Sequence, residues 1–146
     1  MATFSRSVTV DWAGSLMEGK GNAKAGTGAF NVPVTFPARL GEPAGLTTPE
    51  ELLAASHAVC YAMGVNGTLG RKGASAAKTI VTATVTADKG ADGIKLTTSK
   101  LKVVVEGLQG IDKSEFAQIA RDAEKGCPIS NAIRGNVQIE IDAHVA

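Results

Sequence analysis

The apolar positions along this chain change period several times, and each change marks an element. Val8, Val10 and Trp12 alternate with Ser7, Thr9 and Asp11, the period-2 spacing of a half-buried strand. Turn signals follow at residues 18–22 and 26–28. Phe30, Val32 and Val34 alternate again, but Pro33 and Pro37 restrict this segment to an edge strand or a strand end. Residues 39–47, rich in Gly and Pro, read as an ordered loop.

The period then becomes helical. Thr48 is suited to cap a helix, Pro49 to its first position, and Glu51 to the third position of a capping box. The segment from Leu52 to about Arg71 is apolar on nearly every face, which predicts a central, buried helix. Its many Gly and Ala residues permit close approach of another backbone. Val81, Ala83, Val85 and Ala87 alternate with threonines and predict a strand. Residues 94–106 predict a longer one, whose apolar parity shifts between Leu96 and Leu101, as a β-bulge would produce. Asp112 and Glu115 form a second capping box, opening a helix that ends near Gly126. Pro128 can start a short helix, which Gly135 breaks. In the final strand Val137, Ile139, Ile141 and Ala143 point inward. The predicted order is βββ-α-ββ-α-α-β, an α+β fold in a single domain over residues 1–146.

Composition narrows the function. The chain has 146 residues, 44% hydrophobic and 20% charged, with a formal net charge of +1. That balance suits one globular domain with its own core. It gives no reason to expect nucleic acid or an anionic membrane as partner. Residues 1–6 lack the apolar core of a secretory signal. The most apolar stretch, residues 52–69, is interrupted by Ser56, His57 and Asn66, so no membrane span is predicted. These features predict a cytoplasmic protein. Disulfides in that compartment are mostly transient and catalytic, so the two cysteines, Cys60 and Cys127, draw attention.

Cys127 lies in Gly126-Cys127-Pro128. With Pro128 as first helical residue, Cys127 is the N-cap, where unpaired N–H groups favour a thiolate. The plainer alternative is a small residue filling a cap. Cys60, within an apolar helix, is by default an inert buried thiol whose pKa burial raises. It needs a cation to react. His57, one turn earlier, and Arg39, in the preceding loop, are the two candidates. Arg39 would act more strongly because it is always charged; His57 is more simply read as a polar residue satisfied at a helix edge. Glu51 has a capping role, which leaves Glu50 free for another task or for simple placement at a helix N-terminus. Glu50 and Cys60 are ten residues apart, ~15 Å along a helix axis. They cannot touch within one helix; if both serve one site, either an arginine spans part of the gap or a second copy of this helix packs antiparallel, as a twofold dimer would supply. His57 and Cys60 are half of a metal site, but further ligands at a recognisable spacing are missing. No C-x-x-C, P-loop, dinucleotide or G-x-S-x-G pattern stands in the right context.

The segment Thr47-Thr-Pro-Glu-Glu-Leu-Leu-Ala-Ala-Ser-His-Ala-Val-Cys-Tyr61 resembles the central-helix motif of the OsmC/Ohr family, the osmotically inducible and organic hydroperoxide resistance proteins. Gly126-Cys-Pro-Ile-Ser-Asn-Ala-Ile133 resembles its second cysteine motif. The resemblance covers nearly the whole chain, and His57 is similar to the OsmC branch. It implies an OsmC-like fold, antiparallel sheets packed on a long central helix, in an intertwined homodimer with its sites at the subunit interface. It implies a haem-free thiol peroxidase that reduces organic hydroperoxides in stress defence, with no cofactor or metal. Cys60 would be the peroxidatic thiolate and Cys127 the resolving thiol. Arg39 would stabilise the Cys60 thiolate, and Glu50 would hold Arg39. An external dithiol, such as a dihydrolipoyl protein, would reduce the resulting disulfide. Local sequence makes Cys127 the more acidic thiol, whereas the resemblance gives the nucleophile's part to Cys60. The alternative from another class is a non-catalytic small-molecule or lipid-binding protein on the same fold.

Overall fold

The computed structural model describes residues 2–146, in two compact units. The first ends at Leu52 and the second spans Leu53–Ala146. The first contains an antiparallel sheet in the order β1 (Val8–Ala13), β2 (Lys20–Ala25), β3 (Asn31–Val34). Pro33, which has no N–H to donate, pairs opposite Asn22 on the edge strand β3, as expected of a proline in a sheet. Gly21 opposes Trp12 across β1 and β2. A Cβ there would fall 2.7 Å from the indole ring, so a side chain larger than hydrogen would displace it.

The loop expected over residues 39–47 begins instead inside a helix. Phe36–Leu40 forms α1, capped by the Thr35 hydroxyl and carrying Pro37 in its first turn. Five residues complete little more than one turn, too short to leave a helical period in the sequence. Arg39 therefore rises from a helix.

Helix α2 (Pro49–Arg71) spans the predicted length. The Thr48 hydroxyl accepts from the Glu51 N–H at 3.2 Å. The return half of the expected capping box is replaced, because the Glu51 carboxylate accepts from the Thr47 hydroxyl. The expectation of burial on nearly every face is corrected for the isolated chain. His57, Tyr61, Val65, Thr68 and Leu69 are buried, one stripe at helical spacing, while Val59 and Met63 on another face are 55% and 71% exposed.

In the second unit β4 (Lys78–Gly90) and β5 (Gly93–Glu106) form a long antiparallel hairpin. The expected bulge is at Thr97: Thr86 pairs with Thr98, and Ala87 pairs with Leu96. Beyond it Ser99, Leu101, Val103 and Val105 face the core. Helices α3 (Lys113–Lys125) and α4 (Pro128–Ile133) then lead to β6 (Gln138–Val145). This last strand corrects the expectation of wholly antiparallel sheets, since β6 runs parallel to β5, with Leu101 opposite Ile141. A helical crossover returns the chain to the end of the sheet where β5 began, and so imposes parallel pairing. The core joins Tyr61, Val65 and Leu69 of α2 to Leu101, Val103 and Val105 of β5 and to Phe116, Ile119, Ala120 and Ala123 of α3. Gly64 lets α2 approach α3, its Cβ position lying 3.5 Å from the Ala123 carbonyl oxygen.

Candidate active site

Asp112 caps α3 through the full capping box with Glu115. The chain then turns at Gly126, and Cys127 caps α4 ahead of Pro128. This turn carries Cys127 to the side of α2 that holds Cys60. The two sulfurs lie 3.1 Å apart as a hydrogen-bonded pair of free thiols. Their surroundings differ. Cys127 is 1% exposed, whereas Cys60 is only partly buried. A molecule arriving from solvent therefore meets Cys60 first.

Acidity runs the other way. Burial acts to raise the Cys127 thiol, but bonds from the Ser130 N–H, from Cys60, from the Ser130 hydroxyl and from the Ile129 N–H outweigh it and hold Cys127 below its ordinary value. Hydrogen bonds to a charged form favour that form. Burial pushes Cys60 up; the Ile129 N–H opposes this, and the bond and charge of Cys127 add to it. As the sequence around the two cysteines suggested, Cys127 is the more acidic partner.

His57 stands one turn from Cys60 and is fully buried. Its Nδ1 lies 2.7 Å from the Ser99 hydroxyl and its Nε2 lies 2.8 Å from the Ser130 hydroxyl. Burial pushes its pKa down, against the opposing charge of Glu124, so the imidazole is neutral near pH 7. This overturns one expectation: His57 is satisfied within the core, not at a helix edge. Both ring nitrogens are engaged by serine hydroxyls. Ser99 and Ser130 were not foreseen as members of the site. A signal existed for Ser99, a polar residue at the core parity of β5 in line with Leu101 and Val103.

In the first unit, Arg39 and Glu50 form an ion pair. Arg39 Nη2 donates to Glu50 Oε1 at 2.7 Å, and Arg39 Nε donates to the same oxygen at 3.0 Å and to Oε2 at 3.3 Å. Burial works against ionisation of Glu50, but the bond and charge of Arg39 prevail and hold its carboxyl below the ordinary value. Two donors on one face of the guanidinium fix its plane. Arg39 also borders a cavity of about 570 Å³ in this unit, lined mainly by apolar side chains such as Val10, Trp12, Leu16, Phe36 and Leu52.

Comparison with known proteins places this arrangement in context. Residues 41–142 match the sequence profile of the family described as OsmC-like protein. The chain is 33% identical over 139 residues to the peroxiredoxin OsmC of Escherichia coli (strain K12), covering 94% of this chain and 96% of that one. It is 31% identical over 128 residues to an organic hydroperoxide resistance protein of Xanthomonas axonopodis pv. citri, covering 84% of each. Its fold is similar to the crystal structure of an organic hydroperoxide resistance protein OsmC from Legionella pneumophila, with a TM-score of 0.75, 24% identity and 99% of both chains covered. The two cysteine motifs, the α+β architecture and these matches together show that the chain belongs to the OsmC-like family.

Proposed function

We propose that this protein is a cysteine-based peroxidase that reduces organic hydroperoxides to alcohols. The observation that carries the reading is the pair of free thiols 3.1 Å apart, one reachable from solvent and one not. The names of the relatives in Escherichia coli and Xanthomonas support it. In the first step the Cys60 thiolate attacks the terminal oxygen of the hydroperoxide. The O–O bond breaks, the alkoxide takes a proton and leaves as alcohol, and Cys60 becomes a sulfenic acid. In the second step the Cys127 thiolate attacks the Cys60 sulfur. An S–S bond forms, the S–O bond breaks, and hydroxide takes a proton to leave as water. A dithiol, for which we favour a dihydrolipoyl protein, returns both cysteines to thiols by thiol–disulfide exchange.

Cys60 lies above its ordinary thiol pKa in the isolated chain, so the first step needs a cation. We assign this to Arg39, with Glu50 holding its guanidinium, acting on the thiolate and on the leaving alkoxide. The apolar cavity that Arg39 borders suits the organic portion of a substrate better than hydrogen peroxide. We further propose that residues 1–146 work as one domain within an intertwined homodimer in the cytoplasm. Exposed Val59 and Met63 on α2, and exposed Val8, Val10 and Leu16 near the sheet of the first unit, are apolar surface that a second copy would cover. Among the described residues no helix is long and apolar enough to cross a membrane. A non-catalytic binding protein would use the cavity but would leave the thiol pair without a task. Peroxide consumption by the reduced protein with cumene hydroperoxide, followed in Cys60→Ser and Cys127→Ser variants, tests the assignment. Loss of all consumption in Cys60→Ser supports it, and full consumption in Cys60→Ser overturns it.

A further inference from the structure

The Cys60 and Cys127 sulfurs stand 3.1 Å apart, inside the roughly 3–3.5 Å at which two atoms are poised to react. They are held there in different ways. Cys60 lies in the interior of α2, a helix of 23 residues. Cys127 lies in the turn between α3 and α4, and α4 has only 6 residues. A helix that short has little stability of its own, so the place of Cys127 depends on what ties α4 down.

The backbone bonds of the turn are local. The Cys127 N–H donates to the Glu124 carbonyl at 3.1 Å, the Asn131 N–H to the Cys127 carbonyl at 3.0 Å, and the Arg134 N–H to the Ser130 carbonyl at 2.9 Å. None of these joins the far end of α4 to α3. A pair of side chains does. Arg134, the C-cap of α4, donates from Nη2 to Glu124 Oε1 at 2.5 Å, and the same nitrogen donates to Asn131 Oδ1 at 3.2 Å. Among the described residues, Arg134–Glu124 is the side-chain hydrogen bond that joins α3 to α4.

Glu124 stands in the last turn of α3 and is 8% exposed. A carboxylate so far removed from water is costly without a partner, which separates this pair from an ordinary surface ion pair. The pair closes a loop from residue 124 to residue 134 with Cys127 inside it. His57 Nε2 meets the Ser130 hydroxyl from the side of α2, so the loop is held near its middle as well, and Glu124 and Arg134 fix its ends.

We propose that Glu124 and Arg134 form a clasp that positions Cys127 for its attack on oxidised Cys60. Both are positioning residues, acting on the turn they close rather than on a sulfur. Their place in the cycle rests on the peroxidase reading. In that step an S–S bond forms as the S–O bond of the Cys60 sulfenic acid breaks, and hydroxide takes a proton to leave as water. A turn already closed has less freedom to lose when the sulfurs join, so the clasp raises the effective concentration of Cys127 at Cys60. The earlier attack of Cys60 on peroxide does not involve the turn and gains nothing from the clasp. The benefit to the protein is a shorter life for the sulfenic acid, which further peroxide would oxidise irreversibly.

The clasp is tested first without peroxide, by equilibrating the protein with oxidised and reduced glutathione. One oxidised glutathione takes two electrons from Cys60 and Cys127, giving the protein disulfide and two reduced glutathiones. Arg134→Ala and Glu124→Gln should each lower this equilibrium constant about fivefold, the upper range for a partly exposed ion pair. Dimedone trapping after cumene hydroperoxide then follows the sulfenic acid. Its lifetime should lengthen about fivefold in both variants while its rate of formation stays unchanged. The double variant should do no worse than Arg134→Ala alone, because a shared contact is lost only once. A folded Arg134→Ala protein with the wild-type equilibrium constant and sulfenic acid lifetime overturns the proposal. Additive losses in the double variant also overturn it, as does an equal slowing of sulfenic acid formation, the mark of a general disturbance. Should Glu124→Gln fail to fold, Arg134→Ala, which alters a side chain about half exposed, decides the point. Failure of the wild-type protein to consume peroxide would remove the peroxidase reading and leave the glutathione equilibrium to judge the clasp.

Discussion

Cys60 and Cys127 are 67 residues apart in sequence and 3.1 Å apart at their sulfurs, yet the more acidic of the two is the one that solvent does not reach. Accessibility and acidity are thereby divided between the thiols. In the proposed cycle the partly buried one meets the peroxide and the fully buried one, already inclined to ionise, closes the disulfide.

Single-cysteine variants separate these parts. Cys60→Ser should abolish consumption of cumene hydroperoxide. Cys127→Ser should permit one turnover per chain and leave a sulfenic acid that dimedone traps. The reverse pattern, with turnover surviving in Cys60→Ser, would exchange the two assignments.

Arg39 and Glu50 should act as a unit. Removing a preorganised charge from the reacting centre typically costs about 10²-fold in rate, and we expect a loss of that order for Arg39→Ala in the rate of sulfenic acid formation. Glu50→Gln keeps Arg39 but removes the charge that fixes it, so its loss should be smaller and in the same direction. Single-turnover kinetics measure both. An Arg39→Ala protein that forms sulfenic acid at the wild-type rate would remove Arg39 from the mechanism.

His57 should make stability depend on pH. Its pKa in the fold lies below the ordinary 6.5. As pH falls through 6.5 the unfolded chain binds a proton that the folded protein does not, so the unfolded state gains. The contribution is complete above about pH 6.5 and is lost on acidification, at no more than about 1.4 kcal/mol per pH unit, until the folded-state pKa is reached. Denaturant titrations between pH 7 and pH 5 should show a steeper decline for wild type than for His57→Gln. Parallel declines would contradict a neutral, buried His57.

Much of this was legible in the residues. The strands of β4 and β6 announced themselves by strict alternation, α2 by its cap and length, and the bulge at Thr97 by the shift of parity between Leu96 and Leu101. The parallel pairing of β6 was not legible, since alternation fixes which face a strand buries but not which neighbour it joins or in which direction. Helix α1 was too short to carry a period. For the site, the cysteine motifs and Arg39 were visible because their residue types carry chemistry. The His57–Ser99–Ser130 cluster was not, because serines are common and nothing in a sequence brings positions 57, 99 and 130 together. Ser99 alone broke a pattern, by placing a hydroxyl where β5 otherwise buries aliphatic side chains.

The exposed face of α2 predicts assembly. Val59 and Met63 are four residues apart on one side of the helix and largely exposed. Met63→Glu would put a charge where a partner's apolar surface is proposed, and desolvating an unpaired charge is strongly unfavourable. Light scattering should show a dimer for wild type and a shift toward monomer for Met63→Glu. A wild-type monomer would exclude the dimeric arrangement.

Tyr61 gives a check on packing. Its hydroxyl donates to the Ala120 carbonyl at 2.9 Å and is fully buried, tying α2 to α3. Tyr61→Phe should cost about 1 kcal/mol of stability by denaturant unfolding, with Cys60 still oxidised by peroxide. An unchanged unfolding midpoint would mean that this bond adds nothing net to the packing of the two helices.

The most direct test of the account is a thiol count with mass analysis on the fully reduced protein after one equivalent of cumene hydroperoxide per chain. The account predicts that both thiols disappear together and that a single peptide pair, joined through Cys60 and Cys127 of one chain, carries the new disulfide. An unchanged thiol count would contradict it.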